Sequence, residues 1–361
     1  MNRGTRIVGL AIAVALLVAV AVASPVRGEN AAAAPPAVAP AAPESVKAPA
    51  APAAARSGGR WVGVASICNP ARATPEAMEK LIDQAALDKP DLILLTEGCM
   101  HNTPPTAGPA EKDAKAEPLP EPGPITQFLA RKARQHRAYI MGSYYRKSLQ
   151  GPGRFNSAVL VDRDGKLVGY YDKMFPTIGE MESGILPGRG AVLFQTDFGR
   201  IGAMICYDFN FPELLAEYKK QGAELVCFLS AYRAGKKIPA AAISNQCFFA
   251  SSVPGENGVI VDPLGRTLAE SSQYGKIIFA RVNLDSRVVH IDYNIDRVRR
   301  MKEKYGPLVK IETASPEAVY FLSATHPERT IGDMIKEFEV ETLDAYLDRA
   351  RAVRLERLPR P

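Results

Sequence analysis

The run from Arg200 to Glu213, Arg-Ile-Gly-Ala-Met-Ile-Cys-Tyr-Asp-Phe-Asn-Phe-Pro-Glu, constrains the fold more than any other stretch. Ile201 to Cys206 reads as a buried strand ending in a sharp polar turn, and Pro212, a residue favoured at the first helical position, opens a helix. The thiol at that junction is aimed at solvent or into a pocket. Backbone N–H groups of the turn and the positive end of the helix favour a thiolate there and any oxyanion formed beside it. On this stretch alone two readings of Cys206 stay open: a nucleophile, or a small buried apolar residue, as most free cysteines are.

The same alternation of strand and helix fills the first part of the folded chain. Trp61 to Ile67 is a strand, and Pro75 to Leu87 a helix with Thr74 as its N-cap and Glu76 in its first turn. Asp91-Leu-Ile-Leu-Leu-Thr96 is a continuous apolar strand of the kind buried on both faces, and it ends at Glu97. Residues Gly98 to Pro122 predict a long flexible loop overhanging a site. A helix over Ile125 to His136 and a strand over Ala138 to Tyr144 follow. Asn156 to Val161 and Lys166 to Tyr171 flank Asp162-Arg-Asp-Gly165, a hairpin turn with glycine where φ is positive; most ligands of a calcium loop are missing. The glycines between Met174 and Gly190 precede a strand instead of opening a helix after one, which excludes a dinucleotide fingerprint. Glu224 to Ser230 and Phe248 to Val253 are further strands, with a helix from Pro239 between them. Gly258 to Gly265 and Lys276 to Leu284 bring hairpins. Helices early and hairpins late point to sheets carrying helices on an outer face.

Ahead of this, Arg3 and Arg6 precede an apolar run from Ile7 to Ala23, and Ala21-Val-Ala23 offers a small-residue cleavage site. Residues 1–23 are expected to be an export signal, which makes the protein periplasmic or secreted. The alternative is an uncleaved membrane anchor over 7–23. The Ala/Pro-rich stretch 24–59 is expected to be a disordered linker, residues 60–310 the folded domain and 311–361 a helical tail with apolar positions Met334, Ile335, Phe338, Leu343, Leu347 and Val353. A net charge of +6, much of it in the arginines of that tail, gives no basic patch with interleaved aromatics, so nucleic acid is not an expected partner. The five cysteines show no CxxC and no metal-like spacing; neither a metal nor a cofactor is expected.

A cysteine hydrolase needs a base for the thiol proton, donors for the oxyanion and a proton for the leaving group. None of the four histidines (His101, His136, His290, His326) has a local context of the cysteine–histidine protease kind. A carboxylate held in an apolar site is the alternative base, and Glu97, the polar end of an apolar strand, is placed for it. Taken alone, Glu97 reads equally as a solvent-facing strand exit, and Lys173, which follows a strand, as a surface lysine or an oxyanion stabiliser.

Three segments, Asp91-Leu-Ile-Leu-Leu-Thr-Glu97, Gly169-Tyr-Tyr-Asp-Lys173 and Ile205-Cys-Tyr-Asp-Phe-Asn-Phe-Pro-Glu213, resemble in order and spacing the Glu, Lys and Cys motifs of the nitrilase superfamily of carbon–nitrogen hydrolases. Asn156 to Asp162, Asn245-Gln-Cys247 and Ile260 to Gly265 support the match, which covers about Arg60 to Asp285. The resemblance implies a four-layer αββα sandwich whose subunits pair as homodimers or higher homo-oligomers. It implies Glu97 as general base and acid, Cys206 as the acylated nucleophile, and Lys173 with the Tyr207 backbone N–H as oxyanion donors. Of the glutamates after the lysine, Glu182 matches the spacing of a second, positioning glutamate, with Glu180 in reserve. The segment Ala231-Tyr232-Arg233 falls where members shape the substrate pocket, making Tyr232 and Arg233 substrate-binding residues. Asn210, where many members carry Arg, and Ser244, where Glu often stands, depart from the pattern and bear on substrate choice. The expected activity is hydrolysis of a small amide or N-carbamoyl compound by water through a thioester; a nitrile substrate, or a silent binding module on the same fold, is the alternative.

Overall fold

A computed structural model describes residues 58–359 apart from 102 and 105. The expected export signal and nearly all of the expected linker lie outside the described residues. The first part of the chain runs β1 (Trp61–Ile67), α1 (Pro75–Ala85), β2 (Leu92–Leu95), α2 (Pro109–Lys115), α3 (Pro124–His136), β3 (Tyr139–Lys147), β4 (Arg154–Val161), β5 (Leu167–Asp172) and α4 (Ile178–Glu182). It continues through β6 (Leu193–Gln195), β7 (Arg200–Ile205), α5 (Pro212–Gln221), β8 (Leu225–Leu229), α6 (Lys237–Asn245), β9 (Phe248–Ser252), β10 (Val259–Val261), β11 (Thr267–Glu270) and β12 (Ile277–Asn283). The last part holds β13 (Ser286–His290), α7 (Ile295–Tyr305), β14 (Val309–Ala314), β15 (Val319–Ala324), α8 (Ile331–Glu337) and α9 (Leu343–Arg357).

Two six-stranded mixed sheets result, in the orders β12-β1-β2-β3-β4-β5 and β11-β10-β9-β8-β7-β6. Their central strands, β1-β2-β3 and β7-β8-β9, are parallel, and the outer ones are antiparallel. Alternation along each strand explains the layering. Val62, Val64, Leu92 and Leu94 share one buried cluster with Ile201, Ile205, Phe228 and Phe249 of the second sheet. Their neighbours Ala65, Ile67, Ile93 and Leu95 point the other way, onto Met78 and Ile82 of α1 and Ile125 and Leu129 of α3. With α5 and α6 on the second sheet, this is the expected sandwich of sheets and helices.

The hairpin at Asp162 forms, with Gly165 at φ +73°. Two stretches differ from expectation. The predicted loop over 98–122 contains α2, and Glu117 pairs with Arg146 beside β3. The stretch expected as a helical tail begins with strands: β15 pairs between β13 and β14 in a third, antiparallel sheet, so a boundary at 310 falls inside β14. The reason is period-two patterning, since Val309, Ile311 and Thr313 alternate with Lys310 and Glu312. This sheet carries its own core, in which Val289 and Leu322 meet Met301 of α7 and Met334 of α8. On α9, Leu347 and Val353 are exposed. Among the described residues no helix is long and apolar enough to cross a membrane, and no group of three His, Cys, Asp or Glu could hold a metal ion.

Candidate active site

Four strand ends converge. Glu97 follows β2 and Lys173 follows β5 in the first sheet; Cys206 follows β7 and Ser230 follows β8 in the second. Apolar strands stop where their last residue leaves the sandwich, so the polar residue after each stop lies at the rim of the core. Cys206 opens a short 3-10 turn, Cys206–Asn210, that leads into α5, and its φ of +48° is left-handed. For a residue with a Cβ that conformation costs on the order of 1–3 kcal/mol, and it turns the thiol away from the strand and into the rim.

Hydrogen bonds join the groups. Lys173 Nζ donates to Glu97 Oε1 at 3.2 Å and to Glu180 Oε1 and Oε2 at 3.0 and 2.7 Å. Asn156 Nδ2 donates to Glu97 Oε1 at 2.8 Å and to Glu180 Oε1 at 3.2 Å, while Ser143 Oγ donates to Asn156 Oδ1 at 2.8 Å and so orients the amide. The Ala231 N–H donates to Glu97 Oε2 at 2.8 Å. The thiol of Cys206 contacts the side chains of Glu97 and Ser230. Lys173 and Glu97 are buried, at 1% and 8% exposure, which leaves them little solvent screening.

Residues 64–288, more than half the chain, match the carbon-nitrogen hydrolase family model. The chain belongs to the carbon-nitrogen hydrolase family. It is therefore a hydrolase acting on C–N bonds. It is 31% identical over 175 residues to the deaminated glutathione amidase of Yersinia enterocolitica, covering 43% of this chain and 61% of that one. To an omega-amidase of Saccharomyces cerevisiae it is 24% identical over 234 residues, covering 58% of this chain and 80% of that one. The crystal structure of a Saccharomyces cerevisiae member of branch 10 of the nitrilase superfamily shares the fold at a TM-score of 0.56, with 22% identity over 71% of this chain and 98% of that one. A mutant of the amidase from Nesterenkonia sp. AN1, in which acrylamide has added to the active-site cysteine, aligns at a TM-score of 0.51 with 21% identity, over 66% of this chain and 99% of that one.

Within this carbon-nitrogen hydrolase the charges order themselves around the lysine. Burial works against the Lys173 ammonium, but the Glu97 and Glu180 carboxylates outweigh it and raise its pKa above the usual lysine range. Burial likewise pushes Glu180 up, and is outweighed by Lys173, the Thr177 N–H and Asn156, so its carboxyl titrates below the usual range. Cys206 differs from the thiolate expected at a helix start. Burial first, then the adjacent Glu97 charge, push it up to about 11 against the opposing pull of Lys173, so the resting group is a thiol.

Of the two glutamates considered after the lysine, the structure sets Glu180, and not Glu182, against Lys173. Glu180 sits three residues after Thr177 in a capping box, its Oε2 accepting the Thr177 N–H at 2.7 Å while the same carboxylate holds Lys173. Glu182 is exposed at the end of α4. We expect Glu180→Gln to lower kcat/KM by up to about 100-fold through a misplaced lysine, and Glu182→Gln to change it by no more than about twofold. Steady-state kinetics on the two variants check this.

The residues expected on the substrate side scatter. Tyr232 lies near the thiol: burial and then the Cys206 charge raise its pKa to about 12, and its enclosed hydroxyl has no hydrogen-bond partner among the described residues. Arg233 is exposed and donates to the carbonyls of Glu256 and Pro254 at 2.9 and 3.2 Å. Asn210 is also exposed; its Nδ2 donates to the Tyr207 carbonyl, and its Oδ1 accepts from Lys237 Nζ at 2.6 Å. Tyr207 presents its ring at the surface, edge-on to Phe211, which stacks on Phe175 at 3.9 Å. Asn156 and Ser230 were not singled out from sequence. Asn156 opens a segment that supports the family match, and its pairing across β4 and β5, with the Lys173 N–H on the Asn156 carbonyl, brings it beside the lysine.

Proposed function

We propose that this hydrolase cleaves a small amide or N-carbamoyl compound through a thioester on Cys206, with Glu97 as base and acid and Lys173 as oxyanion donor. The observation that carries the reading is the buried Glu97–Lys173 pair, bonded at 3.2 Å, with the Cys206 thiol against the same carboxylate. Glu97 takes the thiol proton as sulfur attacks the carbonyl carbon, so the thiolate need not exist beforehand. The ammonium donates to Glu97 and to both oxygens of Glu180, and one of the two N–H groups on Glu180 turns to the oxyanion, where the Tyr207 backbone N–H joins it. Glu97 then returns the proton to the departing nitrogen, the C–N bond breaks, and ammonia or an amine leaves. Water, losing a proton to Glu97, attacks the thioester; the carboxylic acid departs as the proton goes back to sulfur. The unpartnered hydroxyl of Tyr232 offers the substrate one further hydrogen bond.

Ammonia release from a panel of small amides, N-carbamoyl amino acids and nitriles tests the reading. Turnover is expected with members of the first two groups. Turnover of nitriles alone would replace amide hydrolysis by nitrile hydrolysis, and a folded protein silent across the panel would favour a binding module.

A further inference from the structure

The reacting groups are divided between two sheets: Glu97 and Lys173 extend strands of the first, Cys206 a strand of the second. Their mutual distances are therefore set by how the sheets are locked together at this end, and most of the interface between them is apolar and non-directional. Besides Glu97, which accepts the Ala231 N–H beyond β8, a second charged side chain inside that interface bonds to both sides. Asp208, two residues after Cys206 and fully buried, accepts the Ile205 N–H at 2.9 Å and the Tyr171 hydroxyl at 2.8 Å on Oδ2, and the Phe175 N–H at 2.8 Å on Oδ1. The Tyr171 hydroxyl in turn accepts the Met174 N–H at 3.1 Å. One carboxylate thus holds the peptide just before Cys206, a tyrosine of β5, and the chain just beyond Lys173.

We propose that Asp208 is a positioning residue whose buried carboxylate holds the Cys206 thiol, carried by one sheet, against the Glu97 and Lys173 groups carried by the other. A left-handed cysteine relaxes unless its surroundings fix it, and the bond to the Ile205 N–H fixes the peptide that enters it. The carboxylate is suited to this because all three neighbours are donors. An asparagine of the same shape presents an N–H₂ either to the Phe175 N–H or to the Ile205 N–H and the Tyr171 hydroxyl, so at least one contact becomes donor against donor. Burial raises the Asp208 carboxyl to about 6 in spite of these donors, which leaves it ionised above that pH. The proposal rests on Cys206 being the nucleophile, but its test does not depend on turnover alone.

The experiment compares wild type with Asp208→Asn, Tyr171→Phe and Met301→Ala, the last a destabilising control in the third-sheet core. Two readouts are taken well below each melting temperature: kcat and KM on an amide from the panel, and the pH midpoint of iodoacetamide alkylation. Alkylation reports Cys206, since the other four cysteines are buried. For Asp208→Asn we expect kcat to fall about 100-fold with KM within about threefold, as for a misplaced nucleophile. We also expect the alkylation midpoint to move from about 11 toward the ordinary thiol value as the sulfur leaves its buried place beside Glu97. Tyr171→Phe is expected to shift both readouts in the same direction by less, and Met301→Ala neither. A folded Asp208→Asn protein with wild-type kcat or an unmoved midpoint overturns the proposal, and so does an equal change in Met301→Ala. Should Asp208→Asn not fold, wild-type values for Tyr171→Phe overturn it. If wild type releases no ammonia from the panel, the proposed function fails, while the midpoints still decide the brace.

Discussion

Cys206→Ala is expected to abolish ammonia release, lowering kcat by about 10⁴–10⁶-fold, with the fold and melting temperature nearly unchanged. The loss is large because no other thiol among the described residues is free to take the acyl group: Cys68, Cys99, Cys227 and Cys247 are buried, and burial holds the thiols of Cys99 and Cys247 at about 12. The fold tolerates the change because the sulfur is the only heavy atom removed, at a half-buried position where the left-handed backbone is held by Asp208 and not by the thiol. Ammonia assay and thermal melting on the same preparation separate the two effects, and mass analysis after iodoacetamide should show one modified site in wild type and none in the variant. Turnover surviving in Cys206→Ala would sink the thioester mechanism.

How far the sequence foretold this arrangement depends on which kind of contact fixed each residue. Cys206 was legible from local pattern, because an apolar strand passing through a polar turn into Pro212 places its junction residue at a rim whatever the rest of the chain does. Glu97 and Lys173 were not: each reads locally as a strand exit, and only their order within a family resemblance joined them to the thiol, since the contact spans 76 residues. Glu180, the glutamate that bonds Lys173, stood behind Glu182 because spacing alone ranked the two. The signal that would have found it was Thr177 with a glutamate three residues on, a capping box that fixes the carboxylate's direction. Asp208 was hidden for the opposite reason. It stood inside the motif, but its partners are Tyr171, in a strand of the other sheet, and Phe175, just beyond that strand, and no local pattern reports a bond between sheets. The third sheet was missed although Val309 to Ala314 alternates, because the apolar spacing at Met334, Ile335 and Phe338 drew the whole tail into a helical reading.

Glu97→Gln is expected to move turnover and thiol reactivity in opposite directions. Without a base to take the thiol proton and return it to the leaving nitrogen, kcat should fall by about 10²–10⁴-fold. The amide also fits badly: Oε1 accepts from Lys173 and Asn156 and Oε2 from the Ala231 N–H, so either orientation of glutamine sets an N–H₂ against a donor, a loss of about 1–3 kcal/mol. The thiol responds otherwise. Burial is the first cause of its raised pKa and the Glu97 charge the second, while Lys173 pulls it down. Removing the carboxylate takes a negative charge from beside the nascent thiolate and leaves the ammonium, so the pKa falls below about 11 and more thiolate is present at any pH beneath it. Iodoacetamide at pH 8 should therefore label Glu97→Gln faster than wild type while ammonia release is slower. A defect of substrate access would slow the enzyme without acidifying the thiol, so the opposed signs, with a melting temperature near that of wild type, place the Glu97 charge beside the Cys206 thiol. Slower labelling, or turnover within about tenfold of wild type, would remove Glu97 from the role of base.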